Sequence, residues 1–306
     1  MPAGLLLRGL DGSNPLAFLA ALGTLRTLTL ALPNEGVRMN WEQHDGAWRP
    51  KVFCSLSGDS DALVVKIDQE LRKAETRPCF AIGDNLNLPA GDFRTHLLKA
   101  VEKPDALVTS QARVDVDFLA AFGSEAITDD DGTMTDTALR TMSGAGHQHF
   151  LKFFRELVAK TDADHLRRSL FIPWDYADEG RGMNLRWDPA DDRRYALRWE
   201  DPSGDPSKTM RGANRLAIEA LPLLPTIPIE GKLATTCFEG KGARDTFFTW
   251  PIWSTPVNCD VVRSLLASDV KAIDAPHRKA RGIAAAFTSA RITTGKFRNF
   301  TPGMPL

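Results

Sequence analysis

The stretch "DGSNPLAFLAALGTLRTLTLAL", Asp11–Leu32, decides the fold. Asn14 followed by Pro15 is a strong helix start signal, because an asparagine side chain can cap free N–H groups and proline suits the first helical position. The residues that follow are apolar on nearly every side, which is typical of a helix in the middle of a core. We therefore predict a central buried helix that ends at Pro33 and Gly36.

The apolar run Leu16–Leu32 is about as long as a membrane-spanning helix. Arg26 and three threonines interrupt it, however, and the cap signals before it are those of a globular helix. We expect this helix to be buried in the protein, and we expect no membrane partner.

The segment "VRMNWEQHDGAWRP" after this helix alternates between apolar and polar residues. Val37, Met39 and Trp41 share one face of a predicted strand, and Asp45–Gly46 is a typical hairpin turn. Further along the chain, amphipathic patterns predict helices near 134–142, 147–160 and 162–170. "LRW" at 185–187 and again at 197–199 predicts two strands of another hairpin.

Together these patterns predict an α+β fold, with mixed helices packed on antiparallel hairpins or sheet and no sustained βαβ alternation. The 306 residues suit a single compact unit over 1–306. A soft boundary between an N-terminal and a C-terminal lobe is expected at 125–137, where the acidic loop "TDDDGT" lies.

The overall composition restricts the function classes. The net charge is −1, so the whole molecule has no electrostatic attraction for nucleic acid, and any such binding must come from local patches. The four cysteines are scattered without a CxxC pair, which argues against a zinc ribbon and suits reduced thiols in the cytoplasm. We expect a cytoplasmic protein without a cofactor.

The motif "SGAG" precedes the predicted helix that starts near residue 147. Ser143, Gly144 and Gly146 would leave free backbone N–H groups at the helix start, where a nucleic-acid phosphate can bind. Lys152 and Arg155 follow one to two turns later and could add positive charge. The alternative is an ordinary break between two helices, with a glycine in the left-handed conformation.

The pair His147 and His149 suggests a metal site, but helical geometry argues against it. Two residues apart on a helix, the side chains point roughly 160° away from each other. An extended conformation would allow both to bind one metal. The corresponding function would be a metal-dependent nuclease or phosphohydrolase that also uses nearby acids such as Asp136.

The helix predicted over "RGANRLAIEAL" carries Arg211 and Arg215 on one face. Like charges four residues apart repel each other, so an anionic partner such as a phosphate would stabilise them. Pairing of Arg215 with Glu219, again four residues apart, is the equally favoured alternative.

The C-terminal region is the clearest basic patch, because Asp274 is the only acid after residue 270. Its basic residues are Lys271, Arg278, Lys279, Arg281, Arg291, Lys296 and Arg298. Within "GKFRNF", Lys296 and Arg298 alternate with Phe297, and Phe300 follows. Basic side chains contact phosphates and aromatic rings stack on unpaired bases, so this pattern favours nucleic-acid binding. A strand with Phe297 inward and Arg298 outward would give the same alternation.

Several segments together resemble proteins encoded beside type I-G (formerly type I-U) CRISPR genes, namely the large-subunit-like and effector accessory families. The segments are "LDGSNPLAFLAALGTLRTL", "VRMNWEQHDGAWRP", "DTALRTMSGAGHQHFL", "LRWDPADDRRYALRW", "RGANRLAIEALPLLPT", "FFTWPIW", "VVRSLL" and "GKFRNFTP". They are spread over most of the chain.

The resemblance implies a nucleic-acid-binding component or accessory of a crRNA-guided effector in antiviral defence. Its partners would be crRNA or target DNA, other effector subunits, or the recruited helicase–nuclease. The resemblance gives no catalytic residue to carry over. A metal-dependent enzyme that uses His147 and His149, and a protein–protein adaptor without nucleic-acid contact, are the alternative functions.

Overall fold

A computed structural model describes residues 3–102, 109, 112–142, 144, 148–191, 208–240, 246–294 and 297–306, without the side chains of residues 191, 294 and 297. The α-helices in this part of the chain are α1 (Pro15–Ala31), α2 (Ser60–Arg72), α3 (Ala90–Val101), α4 (Val114–Phe122), α5 (Phe150–Lys160), α6 (Ala163–Phe171), α7 (Arg211–Ile218), α8 (Cys259–Leu266) and α9 (Ala275–Ala280). None of these helices is long and apolar enough to cross a membrane.

The strands range in length from two to twelve residues. They are β1 (Leu5–Leu6), β2 (Arg38–His44), β3 (Ala47–Phe53), β4 (Gly123–Thr128), β5 (Met134–Asp136), β6 (Asp178–Glu179), β7 (Lys208–Thr209), β8 (Thr226–Ile229), β9 (Lys232–Thr235), β10 (Phe238–Glu239), β11 (Thr246–Trp253), β12 (Ile283–Thr294), β13 (Phe297–Phe300) and β14 (Met304–Pro305). The described strands pair antiparallel, and no βαβ unit occurs among them, so the predicted α+β class is confirmed.

Helix α1 is the centre of the core, as predicted. The Asn14 side chain accepts a hydrogen bond from the Ala17 amide at 3.2 Å, and Pro15 occupies the first helical turn. Nearly all of the helix is buried. Gly23 lets α1 approach α7 closely, because a Cβ atom there would lie 1.8 Å from the Leu216 carbonyl oxygen.

Two sheets meet at α1. Strands β1, β3 and β2 form one sheet, and β10, β11, β12 and β13 form the other, with β14 also pairing with β12. Phe18 of α1 contacts Trp41 of the first sheet and Trp250 and Trp253 of the second, with ring centroids 5.6–6.5 Å apart. The predicted hairpin of β2 and β3 is confirmed, with its turn at Asp45–Gly46.

The prediction of a helix at 134–142 is wrong. Residues Met134–Asp136 form strand β5, which pairs with β4, and the chain then turns through Thr137 to Met142 without a regular helix. The backbone prefers this path because distant groups bind it: the Thr137 amide donates to the Phe122 carbonyl, and the Trp187 indole donates to the Leu139 carbonyl. The helix predicted next begins at Phe150 rather than 147.

The prediction of a hairpin strand at the first "LRW", residues 185–187, is wrong. Leu185 and Trp187 are buried but belong to no strand, and Arg186 has a left-handed backbone with φ of 59°. The second copy, at 197–199, lies outside the described residues.

The expected soft boundary at 125–137 coincides with the β4–β5 hairpin. The main cluster of buried apolar side chains draws on residues from both sides of this hairpin, from Leu7 to Phe300. Whether two lobes exist stays a prediction.

Candidate nucleic-acid interface

Three arginines and one carboxylate come together where the C-terminal hairpin passes residues 136–142. Arg291 lies on β12 and Arg298 on β13, which pair antiparallel. Arg140 follows β5, and Asp136 ends it. We call these four residues the arginine cluster.

Backbone carbonyl groups hold the three guanidinium groups in place. Arg291 Nη1 donates to the Ala138 carbonyl oxygen at 2.7 Å, and Arg298 Nη1 donates to the Arg140 carbonyl oxygen at 3.3 Å. Arg140 Nη1 in turn donates to the Met142 carbonyl oxygen at 2.8 Å. Arg291 and Arg298 thus tie the C-terminal hairpin to the segment after β5.

The arginine cluster has more positive than negative charge. Asp136 forms an ion pair with Arg140, and the two side chains are 11% and 13% exposed, respectively. Three guanidinium groups against one carboxylate leave an excess of two positive charges among the described residues. Burial lowers the pKa of Arg291 to about 10, and repulsion by Arg298 adds to the effect. An anion bound here would relieve that repulsion.

A buried donor of the arginine cluster lacks a hydrogen-bond partner among the residues that the structure describes. Arg291 Nη2 donates to Thr246 Oγ1 at 3.3 Å, but its Nε is buried without a hydrogen-bond partner among the described residues. Buried donors are rarely left unpaired in proteins, because water no longer compensates them. An anionic oxygen is the kind of group that would satisfy it.

The carboxylate of the cluster is poorly stabilised. Burial raises the pKa of Asp136 to about 6, although Arg140, Arg298 and Arg291 all act to lower it. Asp136 is therefore partly protonated just below neutral pH. Its protonation removes the negative charge from the cluster and leaves the three positive charges of the arginines.

The alternative prediction for "GKFRNF" was a strand, and Phe297–Phe300 do form strand β13. Phe300 is only 1% exposed and contacts Phe238 and Phe248, each with ring centroids 6.1 Å away. Its ring therefore supports the core and offers no free face to a base in this conformation. Arg298 is half-buried. Lys296 and the Phe297 side chain lie outside the described residues.

The remaining C-terminal basic residues are not part of the arginine cluster. Arg278 and Lys279 lie on α9, and Arg281 follows it. From Ile283 at the start of β12 to Arg291, the strand covers about 25 Å. Lys271 forms an ion pair with Glu239 at 3.3 Å. The basic patch seen in the sequence is therefore two separate groups of positive charge.

The start of α5 is already occupied by the protein itself. The amides of Leu151 and Lys152 donate to the Asp84 carbonyl oxygen at 3.0 and 3.1 Å, and the Phe150 amide donates to Asn85 Oδ1 at 3.4 Å. These are the N–H groups that the predicted phosphate site would need. In this conformation a phosphate has no place there, although the Lys152 side chain is exposed.

Gly144 has the left-handed backbone of the predicted helix break, although no helix precedes it among residues 134–142. It has a φ of 84°, and a Cβ atom there would lie 2.4 Å from Asn85 Nδ2. Its amide donates to the Gln148 carbonyl oxygen at 3.0 Å. Ser143 and Gly146 lie outside the described residues.

Arg155 also has a local partner. Its Nη1 donates to the carbonyl oxygens of Phe80 at 2.7 Å and Gly83 at 2.8 Å, and its Nη2 pairs with the Asp84 carboxylate. These contacts attach α5 to the segment before α3. Arg155 thus orders the chain at the same place where a phosphate was expected.

Arg215 pairs with Glu219, as in the alternative to an anionic partner. Arg215 is 1% exposed, and its Nη1 lies 3.0 Å from Glu219 Oε1. Arg26 and Arg77 approach the same carboxylate at 2.8 and 2.5 Å. We call these four residues the core ion cluster. Burial alone would raise the pKa of Glu219, but the three guanidinium groups lower it to about 2.

Arg211 does not share the environment of Arg215. Its Nη1 donates to the Lys160 carbonyl oxygen at 3.3 Å, and its backbone amide donates to Asp178 Oδ2 at 2.9 Å. The side chain is half-buried at the start of α7. The helix therefore places one predicted contact in the core and the other beside the end of α5.

The histidine pair is only partly described. His149 precedes α5, and His147 lies outside the described residues. Among the residues that the structure describes, no three His, Cys, Asp or Glu side chains gather closely enough to hold a metal ion. The metal-dependent alternative stays a prediction.

Sequence reasoning found Arg291 and Arg298 from the basic composition of the C-terminus, but it did not find Arg140, and it considered Asp136 only as a nuclease acid. Asp136 and Arg140 lie four residues apart in a segment predicted as helix, but that helix does not form. Comparisons with known proteins found no family model that matches the chain and no curated protein similar to it.

Proposed function

We propose that this protein is a cytoplasmic, nucleic-acid-binding component or accessory of a type I-G-like crRNA-guided CRISPR effector. In this role the arginine cluster contacts a phosphate of crRNA or target DNA. The protein has no catalytic task of its own in this proposal, and it acts with other effector subunits or with the recruited helicase–nuclease.

The excess of positive charge in the arginine cluster carries the proposal for nucleic-acid binding. Arginine is well suited to phosphate because its planar guanidinium group can donate two parallel hydrogen bonds. Arg291 has a buried Nε without a partner among the described residues, and Arg298 is half-buried at the edge of the cluster. The backbone contacts described above hold both groups ready for binding. The place in a CRISPR effector is supported only by the sequence resemblance.

The contact would be with the backbone rather than with bases. Phe300, one of the two aromatic residues expected to stack, is buried among other rings. Phosphate contacts position a nucleic acid but carry no direct sequence information. We therefore expect affinity that depends strongly on salt and weakly on base sequence.

The experiment is a filter-binding titration with labelled mixed-sequence oligonucleotides over a range of salt concentrations. Each phosphate contact contributes a slope of about 0.9 for duplex DNA and about 0.7 for a single strand in a plot of log affinity against log salt. Arg298→Gln is expected to weaken binding and to reduce this slope by about one.

Arg72→Gln is the matched control, because Arg72 is an exposed arginine on α2 that pairs with Asp68 at 2.8 Å. It is expected to keep the wild-type affinity and slope. The proposal fails if the wild type does not bind, if binding does not depend on salt, or if Arg298→Gln behaves like Arg72→Gln.

The place in an effector needs a separate test. Co-purification of the tagged protein with effector subunits is expected to decrease after nuclease treatment, because nucleic acid contributes to the association. Recovery of the subunits that is unchanged by nuclease and by Arg298→Gln would instead support the adaptor function. One observation favours that second candidate: Ile227 and Ile229 on β8 are each 52% exposed, and such apolar side chains can contact a protein partner.

A further inference from the structure

Asp136 is the carboxylate that interacts with all three guanidinium groups of the arginine cluster. It lies at the end of β5, in an ion pair with Arg140, and both side chains are largely buried. The arginines that face it from other elements are Arg291 on β12 and Arg298 on β13. The residue beside it on β4 is Gly123, which has no side chain.

The carboxylate is the acceptor in the arginine cluster that can be exchanged most easily. The other acceptors of the guanidinium groups are three backbone carbonyl oxygens and Thr246 Oγ1. The three carbonyl oxygens belong to the backbone and carry no charge, and the Thr246 hydroxyl is neutral as well. A carboxylate can give up its contact by taking up a proton or by rotating.

We propose that Asp136 is a built-in competitor for phosphate, so that nucleic-acid binding at the arginine cluster is coupled to the uptake of a proton by Asp136. This inference rests on the proposed function and specifies how the same site is regulated. An incoming phosphate places negative charge beside Asp136, which favours its protonated form. Protonation in turn leaves three positive charges for the phosphate, so affinity rises as the pH falls.

The free-state pKa of Asp136, about 6, gives the pH range in which the coupling is visible. Because the bound phosphate raises this value further, binding takes up a proton between the two pKa values. If the increase is about one unit, affinity is roughly sevenfold higher at about pH 5.5 than at about pH 8.

The test measures the binding of a fluorescein-labelled mixed-sequence oligonucleotide by anisotropy at about pH 5.5 and about pH 8, on either side of that value. Wild type should bind about sevenfold more tightly at the lower pH. Asp136→Asn, which cannot ionise, should bind at both pH values about as tightly as wild type does at the lower one. Asp68→Asn, which removes a carboxylate paired with Arg72 on α2, should keep the wild-type pH dependence.

The outcomes separate this inference from the proposed function. If Arg298→Gln weakens binding while Asp136→Asn keeps the wild-type pH dependence, phosphate still binds at the arginine cluster but the competition is disproved. If the wild type binds at neither pH, the proposed function fails and the inference fails with it.

A second measurement uses the wild-type protein and does not depend on a variant that folds. Calorimetric titration with the same oligonucleotide near pH 7, in buffers of different ionisation enthalpy, gives the number of protons taken up. Uptake of part of a proton per bound oligonucleotide is expected, and it should be absent in Asp136→Asn. Zero uptake by the wild type would overturn the inference.

Discussion

The core ion cluster and the arginine cluster have the same composition, three arginines and one acid, but opposite properties. In the core ion cluster all three guanidinium groups contact the Glu219 carboxylate at 2.5–3.0 Å. In the arginine cluster Asp136 pairs with Arg140, while Arg291 and Arg298 donate to backbone carbonyl groups. The carboxylate is therefore well stabilised in one place and poorly stabilised in the other.

This difference shows how geometry separates a structural cluster from a binding site. Glu219 joins α1, which carries Arg26, to α7, which carries Arg215, and its pKa is lowered to about 2. Asp136 has its pKa raised to about 6 by burial. A fully contacted carboxylate leaves no role for a ligand, whereas a weakly held one leaves positive charge available.

The largest effect should come from removing the charge of Glu219. Glu219→Gln leaves three buried guanidinium groups without their shared counter-ion, and breaking a buried ion pair typically costs about 3–5 kcal/mol. Urea unfolding should show a loss of this size in the free energy of unfolding. Asp136→Asn, the matched change in the arginine cluster, should cause no such loss at neutral pH, because burial disfavours the ionised Asp136 carboxylate in the folded protein. Equal stabilities of Glu219→Gln and wild type would show that the core ion cluster does not stabilise the fold.

The next effect is a pH dependence of opposite sign in the two clusters. The folded pKa of Glu219, about 2, lies below its ordinary value of 4.5, so its contribution of about 3 kcal/mol is present above about pH 4.5 and is lost as the pH falls towards 2. The folded pKa of Asp136, about 6, lies above its ordinary value of 3.8. Its contribution is therefore present below about pH 4 and is lost as the pH rises through 6.

Unfolding free energies of wild type, Glu219→Gln and Asp136→Asn between about pH 3 and 8 would measure both effects. Each variant should lose only the pH dependence of its own carboxylate. A common pH dependence in all three proteins would contradict the contrast between the two clusters.

The sequence predicted those elements whose signals are local. Asn14 and Pro15 mark the start of α1, and Asp45–Gly46 marks the β2–β3 turn, because capping and turn geometry depend only on neighbouring residues. The amphipathic pattern of residues 134–142 predicts a helix, whereas the pairing with β4 and the hydrogen bond from Trp187 that decide their conformation involve distant partners. The local amphipathic pattern contained no information about them.

The candidate site divides in the same way. The basic, acid-poor composition of the C-terminus pointed to Arg291 and Arg298, but only the tertiary fold places Arg140 beside them. Arg215 looked like a surface contact because its other neighbours, Arg26 and Arg77, are far away in sequence and meet it only around Glu219. A single sequence therefore identified the charged residues, but the fold decides which of them are available to bind a ligand.

The most direct test of the arginine cluster as the nucleic-acid interface is amide hydrogen exchange with and without a mixed-sequence oligonucleotide. Bound nucleic acid should slow exchange in residues 136–142 and in β12 and β13, while α1 and α7 around the core ion cluster exchange at unchanged rates. Protection confined to α9 or to the start of α5, or no protection anywhere at saturating oligonucleotide, would contradict the assignment.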